Sequence, residues 1–110
     1  MILNIYAVKD SVAGDFPFTF KASNDGMMER VVKGALLSKE QNVFTTDIKD
    51  KSIYCIGTYE TSTADIKPLS PVFCCNVNEI RLKLIQEIKI AKQEAGVEQP
   101  TAEEVPDEND

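Results

Sequence analysis

The apolar residues of this chain recur first at every second position, then at every third and fourth, and the same change of period happens a second time. A spacing of two puts side chains on alternate faces of a strand, whereas three and four put them on one stripe of a helix. This restricts the chain to the order β-β-α-β-β-α. Ile2–Val8 carries Leu3, Ile5 and Ala7 on one face and Ile2, Tyr6 and Val8 on the other, the pattern of an interior strand. Lys9–Gly14 is small and polar and suits a hairpin loop. In Phe16–Lys21 the spacing directs Phe16, Phe18 and Phe20 to the core and Pro17, Thr19 and Lys21 outward. Pro17 has no N–H to give to a ladder, so this strand belongs at an edge.

A first helix is expected after Asn24 or Asp25, either of which can cap it. Its stripe is Met27, Met28, Val31, Val32, Ala35 and Leu36, and Gly34 within it hints at close packing. Ser38–Lys51 reads as a loop, anchored by Phe44 and Ile48. Ser52–Tyr59 is the third strand, with Ile53, Cys55, Gly57 and Tyr59 on one face and Tyr54, Ile56 and Thr58 on the other. Glu60–Leu69 looks turn-like, Val72–Val77 is a short fourth strand, and Asn78 is placed to cap a long helix, Glu79–Ala95, that Gly96 would stop. The expected fold is α+β: a four-stranded, mostly antiparallel sheet with helices packed on one face. The apolar stripe of the last helix is wider than a small sheet needs, which makes a second copy, in a homodimer, a candidate partner.

The length of 110 residues fits one domain, expected over residues 1–95, followed by a tail over residues 96–110. The net charge of −6 belongs to that tail, which holds six acids and no base, while the preceding residues balance twelve acids with twelve bases. With Pro100, Pro106 and almost no apolar content, the tail is expected to be disordered. It reads either as a solubility tail or as a mimic of phosphate that competes for a basic face. No apolar run reaches the ~20 residues that span a bilayer, and the N-terminus lacks the basic start of a signal peptide. No membrane association is expected, and the chain should stay in the compartment where it is made.

Three cysteines, Cys55, Cys74 and Cys75, are expected as free and mostly buried thiols, with Cys74 and Cys75 on opposite faces of a strand. The chain has no histidine, the commonest general base and metal ligand, and no nucleophile elbow or phosphate-binding glycine motif. Binding is therefore expected rather than catalysis, with no cofactor and no metal. Lys9, Lys21, Arg30 and Lys33 lie on or near the first hairpin and helix. Lys49 and Lys51 precede the third strand, which carries Tyr54 and Tyr59. Bases interleaved with aromatics suit single-stranded nucleic acid, supplying charge for phosphates and flat faces for unstacked bases. Tyrosines in strands are also ordinary packing residues and scattered lysines an ordinary solvated surface, so both readings stand on the sequence.

Tyr6-Ala7-Val8-Lys9-Asp10, then Ala13 and Phe16-Pro17-Phe18, then Asn24-Asp25, Arg30 and Asp50…Tyr54-Cys55-Ile56-Gly57-Thr58-Tyr59-Glu60 resemble a known pattern. It is that of the small nonstructural proteins of gokushovirus-type Microviridae, bacteriophages with single-stranded DNA genomes. The resemblance covers roughly residues 2–66 and is carried by the order and spacing of its parts. It implies a non-virion protein in the cytoplasm of the infected bacterium, one that binds DNA and assists genome replication, and it implies no catalytic residues. The chain departs from the pattern after Ile66. A protein–protein adaptor that recruits or inhibits a host or phage replication protein, without touching DNA, is the alternative.

Overall fold

The computed structural model describes residues 1–98. Its elements are strands β1 (Ile2–Asp10) and β2 (Asp15–Ala22), helix α1 (Asp25–Leu37), one 3-10 turn (Ile48–Asp50), strands β3 (Lys51–Glu60) and β4 (Asp65–Asn76), and helix α2 (Val77–Glu98). The four strands form one antiparallel sheet in the order β2-β1-β3-β4, so β1 is interior and the strand with Pro17 is an edge, as the pattern requires. Both helices lie against one face. Their contribution to the core is Met28 and Val32 from α1 and Val77 and Ile80 from the start of α2, closed against Tyr6, Val8 and Ile53. Met27 and Val31, expected on the same stripe, remain exposed, because α1 meets the sheet along a narrower line than its apolar arc.

Each helix begins with a side chain that satisfies an orphan amide. Asn24 Oδ1 accepts from the Met27 N–H at 2.9 Å. At α2 the cap is Asn76 rather than Asn78: Asn76 Oδ1 accepts from the Asn78 N–H, and Glu79 Oε1 accepts from the Asn76 N–H in return. That reciprocal pair is a capping box and fixes the start of α2 directly on the end of β4. Gly96 does not stop α2, which runs to Glu98; a glycine weakens a helix without forbidding it. The rest of the expected tail, residues 99–110, lies outside the described residues.

The segment between α1 and β3 is organised by Asn42, whose side chain accepts from the Phe44 N–H and donates to the Ala35 carbonyl, both at 2.9 Å. Phe44 is thereby driven into the core edge-on to Phe18 and Phe20. Lys51 closes the same loop from beneath. Only 5% exposed, it donates from Nζ to the Thr46 carbonyl at 2.6 Å and to the Val43 carbonyl at 3.3 Å.

β4 is longer than the sequence pattern indicated. It begins at Asp65, not Val72, and contains Pro68 and Pro71, so the stretch read as a turn is part of the hairpin. Prolines are tolerated there because β4 is an edge strand, one side of which needs no ladder donors. Its pairing with β3 slips twice, once opposite Ile56 and once at Cys74. The slip at Cys74 brings Cys74 and Cys75 both against the core, overturning the alternation expected for neighbours in a strand. All three cysteines are free and half-buried rather than buried.

Candidate nucleic-acid interface

Among the described residues, the sheet face opposite the helices carries no layer of secondary structure, and two β-bulges decide what it displays. Along β1 that face presents Leu3, Ile5, Ala7 and Lys9, since Tyr6 and Val8 point to the helices. β3 pairs with β1 through Tyr54↔Ala7 and Cys55↔Tyr6, then resumes at Gly57↔Ile5 and Tyr59↔Leu3. Ile56 is the extra residue. By absorbing one position it carries Tyr59 to the side that Tyr54 already occupies, whereas strict alternation put the two tyrosines on opposite faces. A second irregularity sets Lys9 opposite both Phe16 and Pro17, between the pairs Val8↔Phe18 and Asp10↔Asp15. It turns Phe16 away from the core side, where alternation had placed it with Phe18 and Phe20, and onto the open face.

The result is two aromatic clusters, each attended by a lysine. In the first, Phe16 meets Tyr54 edge-on at 5.6 Å between ring centroids, and Tyr54 meets Phe73 in the same way at 5.6 Å. Lys9 Nζ sits 5.8 Å from the centroids of both Phe16 and Tyr54. The rings can converge across β1 because Ala7 beneath them is small; it is 1% exposed. In the second, Lys21 Nζ lies 5.2 Å over the ring of Tyr59, beside a cleft of about 280 Å3. Such contacts hold an ammonium over the negative face of a ring at a cost to neither. At the register positions of this face there is no Asp or Glu among the described residues: Glu60, Asp65, Asp10 and Asp15 all alternate to the other side. In a chain with a net charge of −6, the described residues thus keep one face free of carboxylates and give it two lysines.

The eight residues expected from the sequence divide accordingly. Lys9, Lys21, Tyr54 and Tyr59 come together on the open face. Arg30 and Lys33 are on α1, across the sheet, where Lys33 Nζ is paired with Glu87 of α2 at 2.9 Å. Lys49 is exposed on the 3-10 turn, in a cleft of about 410 Å3 that also holds Arg81, Asp47 and Asp50. Lys51 is committed to two backbone carbonyls. Phe16 and Phe73 are the members of the face that sequence reasoning missed. Phe16 was assigned to the core by simple alternation, and Phe73 had no distinguishing pattern.

The thiols of Cys74 and Cys75 are quiet. Burial pushes Cys75 up to about 12, helped by the neighbouring Cys74 and by Glu29 and Glu79, and burial also raises Cys74. Among the described residues no group of cysteines and carboxylates is arranged to hold a metal ion, and no helix is long and apolar enough to cross a membrane.

Comparison with curated proteins and with solved structures finds no match. Residues 3–80 match a family model described as Phage ORF5 protein, a span that takes in all of the sheet but its first residue, α1 and the first turn of α2. With well over half of its length matched, and with the aromatic face inside the matched span, the chain is a phage protein that belongs to the Phage ORF5 protein family.

Proposed function

We propose that this protein binds single-stranded DNA on the open face of its sheet and assists replication of a phage genome, acting by binding and not by catalysis. The observation that carries this reading is the pairing of lysines with aromatic rings on a face without carboxylates. Unstacked bases gain about 1–3 kcal/mol each from an aromatic surface, and lysines supply the phosphate contacts. Lys9, resting between two rings, is already positioned for exchange: an incoming base takes a ring and the ammonium swings to the backbone phosphate. The likeness of residues 2–66 to gokushovirus nonstructural proteins supports a place in the cytoplasm of the infected bacterium, outside the virion. Fluorescence anisotropy with a labelled oligonucleotide tests the reading. Binding that tightens as salt is lowered, and that weakens in Lys9→Met and Lys21→Met, is expected. No binding at low salt, with or without residues 96–110, would falsify it.

A second reading is favoured by a different observation. Ile66, Leu69, Val72 and Phe73 are all about half exposed or more along β4, whose outer edge is unpaired among the described residues. An apolar edge strand is a surface on which another strand can be added. On this reading the protein is an adaptor that holds a host or phage replication protein, or a second copy of itself, along β4. A pull-down from infected cells in which Val72→Lys changes nothing removes its support.

A further inference from the structure

The two aromatic clusters of the open face are not equivalent. Around Lys9 the rings of Phe16, Tyr54 and Phe73 form a row across the sheet, with the ammonium equidistant from two of them. Around Lys21 there is one ring and a cleft. It is lined by Ile5, Thr19, Phe20, Lys21, Tyr59 and Ile66 and measures about 280 Å3. That lies just under the ~300 Å3 at which pockets begin to accept drug-sized ligands, room for one planar heterocycle and not for a nucleotide chain. Its walls are an aromatic face and two aliphatic side chains, which suit the two faces of a base. Its polar side-chain groups are of two kinds, the hydroxyls of Thr19 and Tyr59 and the ammonium of Lys21.

Those two groups carry different information. A hydroxyl both donates and accepts, so Thr19 does not discriminate between a carbonyl and an amine on a base edge. An ammonium has three donors and no acceptor. It is satisfied by the exocyclic oxygen of thymine, uracil or guanine and is opposed by the amino group that cytosine and adenine present at the corresponding position. Among the described residues no carboxylate shares this face to reverse that preference.

We propose that the Lys21–Tyr59 cleft is a base-reading subsite that takes one keto base of a single strand, stacked on Tyr59 against Ile66, with Lys21 Nζ donating to its exocyclic oxygen. This deepens the single-strand reading and rests on it. The neighbouring Lys9 cluster then supplies stacking that is indifferent to sequence, and the Lys21 cleft supplies the preference.

The test compares oligo(dU) with oligo(dC) of equal length by fluorescence anisotropy at one salt concentration, since the two bases differ at the carbonyl or amine in question. The full chain is expected to prefer oligo(dU) by roughly tenfold, the low end of what a well-placed base contact discriminates. Lys21→Arg should keep the preference, and Lys21→Met should reduce it to within about twofold while still binding through the Lys9 cluster. Circular dichroism of each variant separates misfolding from lost recognition. Equal affinity for the two oligonucleotides, or a preference that Lys21→Met leaves intact, overturns the subsite and leaves the single-strand reading standing. Failure to bind either oligonucleotide at low salt overturns both.

Discussion

Tyr54 and Tyr59 lie five positions apart on one strand and yet face the same side of the sheet, because Ile56 between them is bulged out of the pairing with β1. Each has a lysine ammonium above it, Lys9 at 5.8 Å and Lys21 at 5.2 Å from the ring centroid. That one extra residue is what puts the second tyrosine on the open face. Without it, β3 would offer the open face a single tyrosine and bury the other against the helices.

Removing either ring should weaken single-strand binding. Tyr54→Ala and Tyr59→Ala are each expected to raise Kd about 5- to 150-fold, corresponding to about 1–3 kcal/mol per stacked base. Tyr→Phe at either position should stay close to wild type, because stacking uses the ring and not the hydroxyl. Lys33→Met, across the sheet and paired with Glu87, serves as the control and should change Kd less than about twofold. Anisotropy titrations at one salt concentration measure all five variants against the wild type.

Lys51 should behave as a structural residue. Its replacement by Met leaves the Thr46 and Val43 carbonyls without their donor inside a closed loop. A loss of about 2–4 kcal/mol is expected from two unsatisfied acceptors. Lys49→Ala, two residues away on the exposed turn, should cost less than about 0.5 kcal/mol. Chemical denaturation with a shared m-value separates the two cases.

Two glycines should respond to alanine with opposite signs. A Cβ at Gly57 would come 2.7 Å from the Lys67 carbonyl oxygen, a backbone atom that cannot step aside, so Gly57→Ala should destabilise by about 1–3 kcal/mol. A Cβ at Gly34 meets nothing within 4 Å, although its place in the helix had hinted at close packing. Gly34→Ala should stabilise by about 0.5–1 kcal/mol through helix propensity alone. Thermal melts followed at the helical dichroism band report both.

Stability should fall above pH 9. Burial holds the Cys75 thiol up at about 12, from an ordinary value of 9.0. Tyr6 is raised from 10.0 by burial and by donating its hydroxyl to Asp25 Oδ1 at 2.7 Å. Above those ordinary values the unfolded chain has released protons that the folded chain retains, so unfolding becomes easier as pH rises. The contribution is whole below pH 9 and shrinks progressively toward pH 12 for the thiol. Urea midpoints measured from pH 8 to pH 11 should decline, and Cys75→Ala should flatten the slope; a midpoint that holds constant across that range contradicts the assignment.

The sequence by itself determined the order of strands and helices, because a change of hydrophobic period needs no knowledge of neighbours. It placed the start of β4 at Val72 rather than Asp65, however, since Pro68 and Pro71 read locally as a turn. It also determined that the acidity gathers at the C-terminal end, that Pro17 marks an edge and that Phe44 anchors its loop. Only the tertiary structure decided which face each residue of a strand occupies. A face assignment counts residues in twos, and one bulge reverses everything beyond it; Ile56 does this to Tyr59, and the irregularity at Lys9 does it to Phe16. Bulges arise from pairing with a partner strand distant in sequence, so no local pattern announces them. The burial of Lys51 is of the same kind: its two acceptors lie five and eight residues before it, in a loop whose path Phe44 and Asn42 set only once the core has formed.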